Sequence, residues 1–98
     1  MNEAVTDILV KQMPAFKKAY KKLHSQQQAT VNDAIRAIIK NPKIGQEKKG
    51  DLGGVFVHKF KIYHQEMLLA YESTQEERLL LALGVHENFY RNLKSKIK

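Results

Sequence analysis

A short segment near the end of the chain collects side chains that can transfer protons and bind anions. The segment GVHENFYRNLK, residues 84–94, follows the hydrophobic run LLLALG and contains His86, Tyr90 and Arg91. His86 is a candidate general acid or base, because the ordinary pKa of histidine lies near neutrality. Arg91 can bind a phosphate, and Tyr90 can hydrogen-bond to a nucleobase or stack on it. These residue types therefore suit a site for a phosphate-containing ligand.

Each of these residues also has a purely structural explanation. His86 can cap a final helix or face solvent, and Tyr90 can be a core anchor beside Phe89. Glu87 can orient the His86 imidazole, but glutamate is also common in the first turn of a helix. The residues alone leave both explanations open.

A pair of lysines lies two residues apart in a segment with the period of a strand. In VFVHKFKIY the large apolar residues Phe56, Phe60 and Ile62 alternate with Lys59 and Lys61. Alternation with period two places the lysines on one face of a strand and the apolar side chains on the other. Two ammonium groups at this spacing can point at one phosphate region, although a solvated face explains the same pattern.

The overall charge agrees with a polyanionic partner. Seventeen Lys and Arg against ten Asp and Glu give a net charge of +7, and two of the cations, Lys48 and Lys49, lie in the glycine-rich stretch NPKIGQEKKGDLGG. A basic protein favours nucleic acid or an acidic protein partner, and high net charge also serves solubility alone. Lys48 and Lys49 are therefore candidate residues for binding a polyanion such as a nucleic acid.

The remaining histidines and the cysteine count limit the alternatives. His58 shares a face with Phe56 and Phe60 and is predicted to be a core residue, and no His or Asp spacing indicates a metal site. The 98 residues, with no cysteine, predict one domain, residues 1–98, in a reducing cytoplasm. No apolar run approaches the length of a membrane span, so a membrane partner is not expected.

The order of predicted elements indicates an α+β fold. Residues 6–10 read as a short strand, although the run is too short to distinguish it from the start of a helix. A helix starts at Pro14, and Ser25 is the predicted N-cap of a second helix. Three strands follow in VFVHKFKIY, MLLAYES and RLLLALG, and residues 86–94 form a short helix or turn. The expected architecture is an N-terminal helical hairpin on one face of a small, mostly antiparallel β-sheet, with a short C-terminal helix. The other face of the sheet, which carries Lys59 and Lys61, is expected to be open.

The segments GDLGGVFVHKFK, LLAY and LLLALGVHENFYRNLK together resemble the RelE/ParE superfamily of toxins from bacterial type II toxin–antitoxin systems. The resemblance covers nearly the whole chain. It implies a growth-inhibiting toxin neutralised by a cognate antitoxin protein. Most members of the RelE branch cut mRNA in the ribosomal decoding site, whereas members of the ParE branch lack a working nuclease site and poison DNA gyrase.

The resemblance implies a metal-independent nuclease without a cofactor, and it also shows one departure. His86 matches the histidine that some RelE-like nucleases carry after the same glycine, and Lys59 and Lys61 resemble their paired strand lysines. The nuclease branch commonly has an arginine on the strand that corresponds to MLLAY, and this chain has none there. With Arg36 predicted on a helix and Arg78 at a turn, only Arg91 is well placed. An mRNA endoribonuclease is therefore expected first, and a gyrase inhibitor is the alternative.

Overall fold

The computed structural model describes residues 8–50 and 53–85 together with Phe89. Two helices and five strands lie within these residues. In chain order they are β1 (Leu9–Gln12), α1 (Pro14–Lys21), α2 (Ser25–Lys40), β2 (Gln46–Glu47), β3 (Phe56–Ile62), β4 (Gln65–Ser73) and β5 (Glu77–Val85).

The strands form one mixed sheet with the order β1-β5-β4-β3-β2. β1 pairs with β5 in parallel, and the other three pairs are antiparallel. This arrangement confirms the predicted α+β class with a mostly antiparallel sheet. The two-residue strand β2 was not predicted, because so short a segment shows no periodicity in the sequence.

The first helix begins as predicted, but the second begins one residue away from the expected cap. Pro14 occupies the first turn of α1, where its missing N–H costs nothing. The predicted N-cap of α2, Ser25, is already helical, and the cap is His24, whose backbone is extended. The His24 backbone N–H donates to Gln27 Oε1 at 2.8 Å. The glutamine at the third helical position thus caps the N-terminus of α2.

The two helices lie on the same side of the sheet but against different strands. α1 packs mainly on β5 and α2 on β3. They meet through Tyr20, which donates from its hydroxyl to Asn32 Oδ1 at 2.8 Å and accepts Gln28 Nε2 at its main-chain oxygen at 3.0 Å. Their antiparallel packing as a hairpin stays a prediction, and the predicted C-terminal helix lies outside the described residues except for Phe89. Neither of the two described helices has the length and apolar character that a membrane crossing requires.

The main core lies between the helices and the face of the sheet that they cover, which we call the near face. Apolar side chains at every second position of the central strands meet the apolar stripes of both helices, as amphipathic elements require. The buried residues of this core are Phe16, Val31, Ala34, Ile38, Ile62, Met67, Leu69, Tyr71, Leu80 and Leu83.

The opposite face of the sheet, the far face, is not simply open as expected. A second group of buried residues lies there, because β4 and β5 carry apolar side chains on both faces and these must be covered. Phe89, only 4% exposed, packs with this group. The group consists of Val55, Val57, Leu68, Ala70, Leu81 and Phe89.

Candidate nucleic-acid interface

Lys59 and Lys61 lie on the far face of β3, and both are exposed. The intervening apolar residues Phe56, Phe60 and Ile62 belong to the near-face core, so the alternation read from the sequence describes this strand. Positions two apart on a strand are separated by roughly 7 Å, so the two ammonium groups can approach neighbouring oxygens of one phosphodiester chain. The strand therefore presents two cations on the side of the sheet opposite α1 and α2.

The register of the sheet connects these lysines with the end of β5. Lys59 pairs with Leu68 of β4, and Leu68 pairs with Gly84 of β5, so the three residues lie in one row across the sheet. Gly84 stands two residues before His86 in the sequence. His86, Tyr90 and Arg91 lie outside the described residues.

The Gly84 position is in close contact with the far-face cluster. A Cβ atom added there would lie 3.4 Å from a ring carbon of Phe89, at the short end of ordinary van der Waals contact. The Phe89 ring therefore packs directly against β5 on the apolar far face. Phe89 therefore occupies a core position. From the sequence alone, a core position is one of two explanations for its neighbour Tyr90.

Lys48 follows β2 at the edge of the sheet. Its backbone N–H donates to Val55 O at 2.8 Å, and its Nζ lies 3.3 Å from Gln46 Oε1. Gln46 pairs with Val57, whose side chain belongs to the far-face cluster, so Lys48 lies on the same side as the β3 lysines. The structure thus brings Lys48 to the face of Lys59, while Lys49 is an exposed residue of the following loop.

Arg78 is not at a turn, as its sequence position suggested, but within β5, and it is 3% exposed. Its guanidinium donates only to main-chain oxygens, those of Ile38 (2.8 Å), Ile39 (3.0 Å), Thr74 (2.8 Å) and Glu77 (3.0 Å). Two of these oxygens end α2, where carbonyl groups lack helical partners. Arg78 is therefore buried and held by four hydrogen bonds to main-chain oxygens, which assigns it a structural role.

The far face of β4 offers no cation to replace it. Its residues opposite Lys59 and Val57 are Leu68 and Ala70, and both are completely buried. Where the sequence lacks the arginine of the nuclease branch, the structure thus has buried apolar side chains next to the β3 lysines. Arg36 is an exposed residue of α2, and its guanidinium forms an ion pair with Asp33 at 3.0 Å.

His58 lies on β3 with its ring stacked on Phe60, at a centroid distance of 5.9 Å. It is half-buried, and this burial lowers its pKa below the usual 6.5 because the charged form is desolvated. Within the described part of the chain its ring makes no hydrogen bond, so the predicted core histidine is packed rather than hydrogen-bonded. Its near-face position separates it from Lys59 and Lys61.

A shallow cleft of about 420 Å³ lies at the turn between β3 and β4. Tyr63 in this turn has a left-handed backbone (φ 58°), and its hydroxyl donates to Gln26 Oε1 at 3.0 Å. The cleft is bounded by the start of α2 on the near face, away from the exposed lysines of β3. Its lining residues are Leu23, Gln27, Ile62, Tyr63, His64, Gln65 and Met67.

No group of three or more potential metal-binding side chains occurs among residues 8–50, 53–85 and 89. The ion pairs between described residues, Lys11 with Glu77 at 3.3 Å and Arg36 with Asp33, do not include the β3 lysines. Lys59 and Lys61 thus keep their charge available on an exposed strand. The arrangement suits binding to a phosphate backbone.

The described elements define a small α+β protein with a basic strand on the face opposite its two described helices. A family model described as the ParE-like toxin of type II bacterial toxin–antitoxin systems matches residues 10–94. The chain therefore belongs to this family of toxins. No curated protein matches it.

Solved structures of such toxins share the fold at low sequence identity. The E. coli toxin RelE, a mutant in the free state, aligns with a TM-score of 0.69 and 15% identity over 93% of this chain and 94% of that one. The RelBE2 toxin–antitoxin complex from Mycobacterium tuberculosis aligns with a TM-score of 0.69 and 16% identity over 83% of this chain and 100% of that one. The YoeB dimer from Staphylococcus aureus aligns with a TM-score of 0.65 and 17% identity over 83% of this chain and 99% of that one. These likenesses establish the fold and not the target of the toxin.

Proposed function

We propose that this toxin is a ribosome-dependent mRNA endoribonuclease that acts in the cytoplasm. The observation that carries the proposal is the position of exposed Lys59 in one row of the sheet with Gly84, two residues before His86 in the sequence, with Lys61 next on the same face of β3. Proton transfer and cations that stabilise charge on the phosphoryl oxygens both promote cleavage of an RNA phosphodiester.

The reaction assigns a role to each candidate residue. A base removes the proton of the ribose 2′-hydroxyl, the 2′-oxygen attacks the adjacent phosphorus, and the 5′-oxygen leaves with a proton from an acid. His86 serves as the acid or the base, and water donates or accepts the other proton. Lys59 and Lys61, with Arg91, stabilise the charge that grows on the phosphoryl oxygens, and Tyr90 contacts the base.

This chemistry is a proton transfer coupled to displacement at phosphorus, so it requires neither a metal nor a redox cofactor. Lys48 and Lys49 extend the basic surface along the edge of the sheet and increase affinity for the RNA backbone. Ribosome dependence is inferred from the RelE branch of the superfamily. In this proposal the mRNA held by the ribosome is the substrate.

Inhibition of DNA gyrase without nuclease activity is the second candidate. It is favoured by the far face of β4, which carries no cation next to the β3 lysines, since Leu68 and Ala70 are buried there and Arg78 donates to backbone oxygens. A toxin of this kind acts by binding a protein. His86 would then have no part in its action.

Either activity requires a cognate antitoxin as a partner. Structural neighbours of this chain include the intact E. coli RelBE toxin–antitoxin complex and a YoeB–YefM complex from S. aureus. We infer that a protein encoded with this toxin binds it and blocks its growth inhibition. Co-purification of the two products would test this partnership independently of the target.

Primer extension on a defined mRNA, with and without translating ribosomes, tests the nuclease proposal. The wild type, His86→Ala and the Lys59→Ala/Lys61→Ala double variant are compared, with His64→Ala in the exposed β3–β4 turn as the matched control. Cuts that require ribosomes, persist in His64→Ala and disappear in His86→Ala are expected. Intact mRNA together with growth arrest by the wild type would reject the nuclease, and accumulation of gyrase–DNA cleavage complexes would identify the second candidate.

A further inference from the structure

The loop between α2 and β2 is fastened by one buried side chain of the sheet. The hydroxyl of Tyr71 on β4 donates to Pro42 O at 2.7 Å and accepts the Gly45 backbone N–H at 3.1 Å. Tyr71 is completely buried, and its ring stacks on Phe56 with centroids 5.6 Å apart. One hydroxyl therefore holds both ends of this short loop against the core.

The contact is so close that it depends on a glycine. A Cβ atom at Gly45 would lie 2.9 Å from Tyr71 Oη and 3.0 Å from the carbonyl carbon and oxygen of Val57. The loop backbone is thus pressed between the tyrosine hydroxyl and β3. Such an approach fixes the direction in which the chain enters β2.

β2 has little of its own to keep it in place. It contains two residues at the edge of the sheet and pairs only with β3, through Gln46 with Val57 and Glu47 with Phe56. The bond from Lys48 N to Val55 O continues this pairing. A pairing this short is easily opened unless another contact secures it.

We propose that Tyr71 is a positioning residue that holds β2, and through it Lys48, on the RNA-binding face of the toxin. The assignment of Lys48 to RNA rests on the proposed function, whereas the hold on β2 does not. Tyr71 itself points into the near-face core and touches no RNA. Burial raises its pKa, so the hydroxyl keeps the proton that it donates to Pro42 O.

The experiment compares Tyr71→Phe with Tyr20→Phe in the purified full-length chain. Both variants keep the ring and lose one hydroxyl, and the Tyr20 hydroxyl bonds to Asn32 between the helices, far from β2 in the fold. Amide hydrogen exchange at Gly45 and Lys48 should accelerate by about tenfold or more in Tyr71→Phe and stay near the wild-type rate in Tyr20→Phe. Unchanged exchange at both amides in Tyr71→Phe would overturn the hold on β2.

Binding of a single-stranded RNA measures the functional part. Lys48→Ala should weaken binding severalfold in the wild type and in Tyr20→Phe, but it should add little in Tyr71→Phe, where Lys48 has already lost its position. If Lys48→Ala lowered the RNA affinity equally in all three backgrounds, or in none of them, Tyr71 would not position Lys48 for RNA binding. A wild type that neither binds nor cuts RNA would refute the proposed function instead, and the exchange rates would then decide the role of Tyr71 alone.

Discussion

Arg78 of β5 donates from Nε to the main-chain oxygen of Ile38 at 2.8 Å, joining the sheet to the last turn of α2. The same guanidinium reaches Ile39 O and two oxygens at the β4–β5 connection. A planar fork with five donors can satisfy this set of acceptors, whereas a shorter or single-headed side chain cannot. The arginine acts as a cap for the helix that comes from the neighbouring layer.

Replacement of this arginine should therefore be costly. We expect Arg78→Met to lower the free energy of unfolding by about 3 kcal/mol, because buried carbonyl oxygens lose charged donors. Arg36→Met is the matched control, since the exposed pair with Asp33 should contribute less than about 1 kcal/mol. Urea denaturation of both variants measures the difference. Equal stability of the two would contradict the role assigned to Arg78.

The β3 lysines should account for part of the affinity for RNA. We expect Lys59→Ala/Lys61→Ala to weaken single-stranded RNA binding and to reduce the slope of log K against log salt by about 1.4, since each phosphate contact contributes about 0.7. Lys18→Ala/Lys22→Ala removes the same charge from the helix side of the sheet and is the control. Fluorescence anisotropy titrations at several salt concentrations measure the slopes. Identical changes in the two double variants would show that only net charge matters.

The close approach at Gly45 should make this position intolerant of any side chain. Gly45→Ala is expected to lower the free energy of unfolding by about 1–3 kcal/mol, because Tyr71 Oη and the Val57 carbonyl must move away from the new methyl group. At Gly53 a Cβ atom would meet only Gly50 O, at 3.4 Å, so Gly53→Ala is the control. Thermal unfolding followed by circular dichroism compares them. A Gly45→Ala variant as stable as Gly53→Ala would argue against a tightly seated loop.

His58 should make stability depend on pH in the acidic range. Because its pKa is lowered in the folded state, the unfolded chain takes up a proton first as the pH falls below 6.5, and the folded state loses stability there. The effect is absent above that pH, where both states are neutral, and its slope cannot exceed about 1.4 kcal/mol per pH unit. Denaturation of wild type and His58→Phe at pH 7.5 and pH 5.5 tests this, with His64→Phe as the exposed control. A wild-type pH dependence that survives in His58→Phe would assign the effect to other groups.

The sequence was sufficient for the faces of β3 and for the general order of elements, and the reason is periodicity. Strict alternation of Phe56, Phe60 and Ile62 with two lysines has one interpretation in a half-buried strand. β4 and β5 lack such alternation, so the second apolar cluster on the far face was not predicted, and that face was expected to be open. The cluster depends on which chain segment returns to it, and Phe89 is that contact in the described structure.

Long-range partners explain the other differences. Nothing in the stretch TQEERLLL shows that Arg78 will meet the end of a helix some forty residues earlier, so an arginine beside two glutamates resembled a turn residue. The same holds for Tyr71, whose acceptor and donor lie in a loop far upstream. At the start of α2, by contrast, the difference is local and amounts to the choice between His24 and Ser25 as the cap.

The parallel pair of β1 and β5 has a consequence for how the toxin matures. β3, β4 and β5 follow one another as hairpins, whereas β1 pairs with a strand from which nearly the whole domain separates it. Pairings between distant segments form late, because the chain must first be ordered between them. During synthesis β1 must therefore wait for β5 to emerge, and the sheet is completed only after most of the toxin has left the ribosome. A nascent chain that lacks β5 therefore cannot complete the sheet on which Lys59 and Lys61 lie.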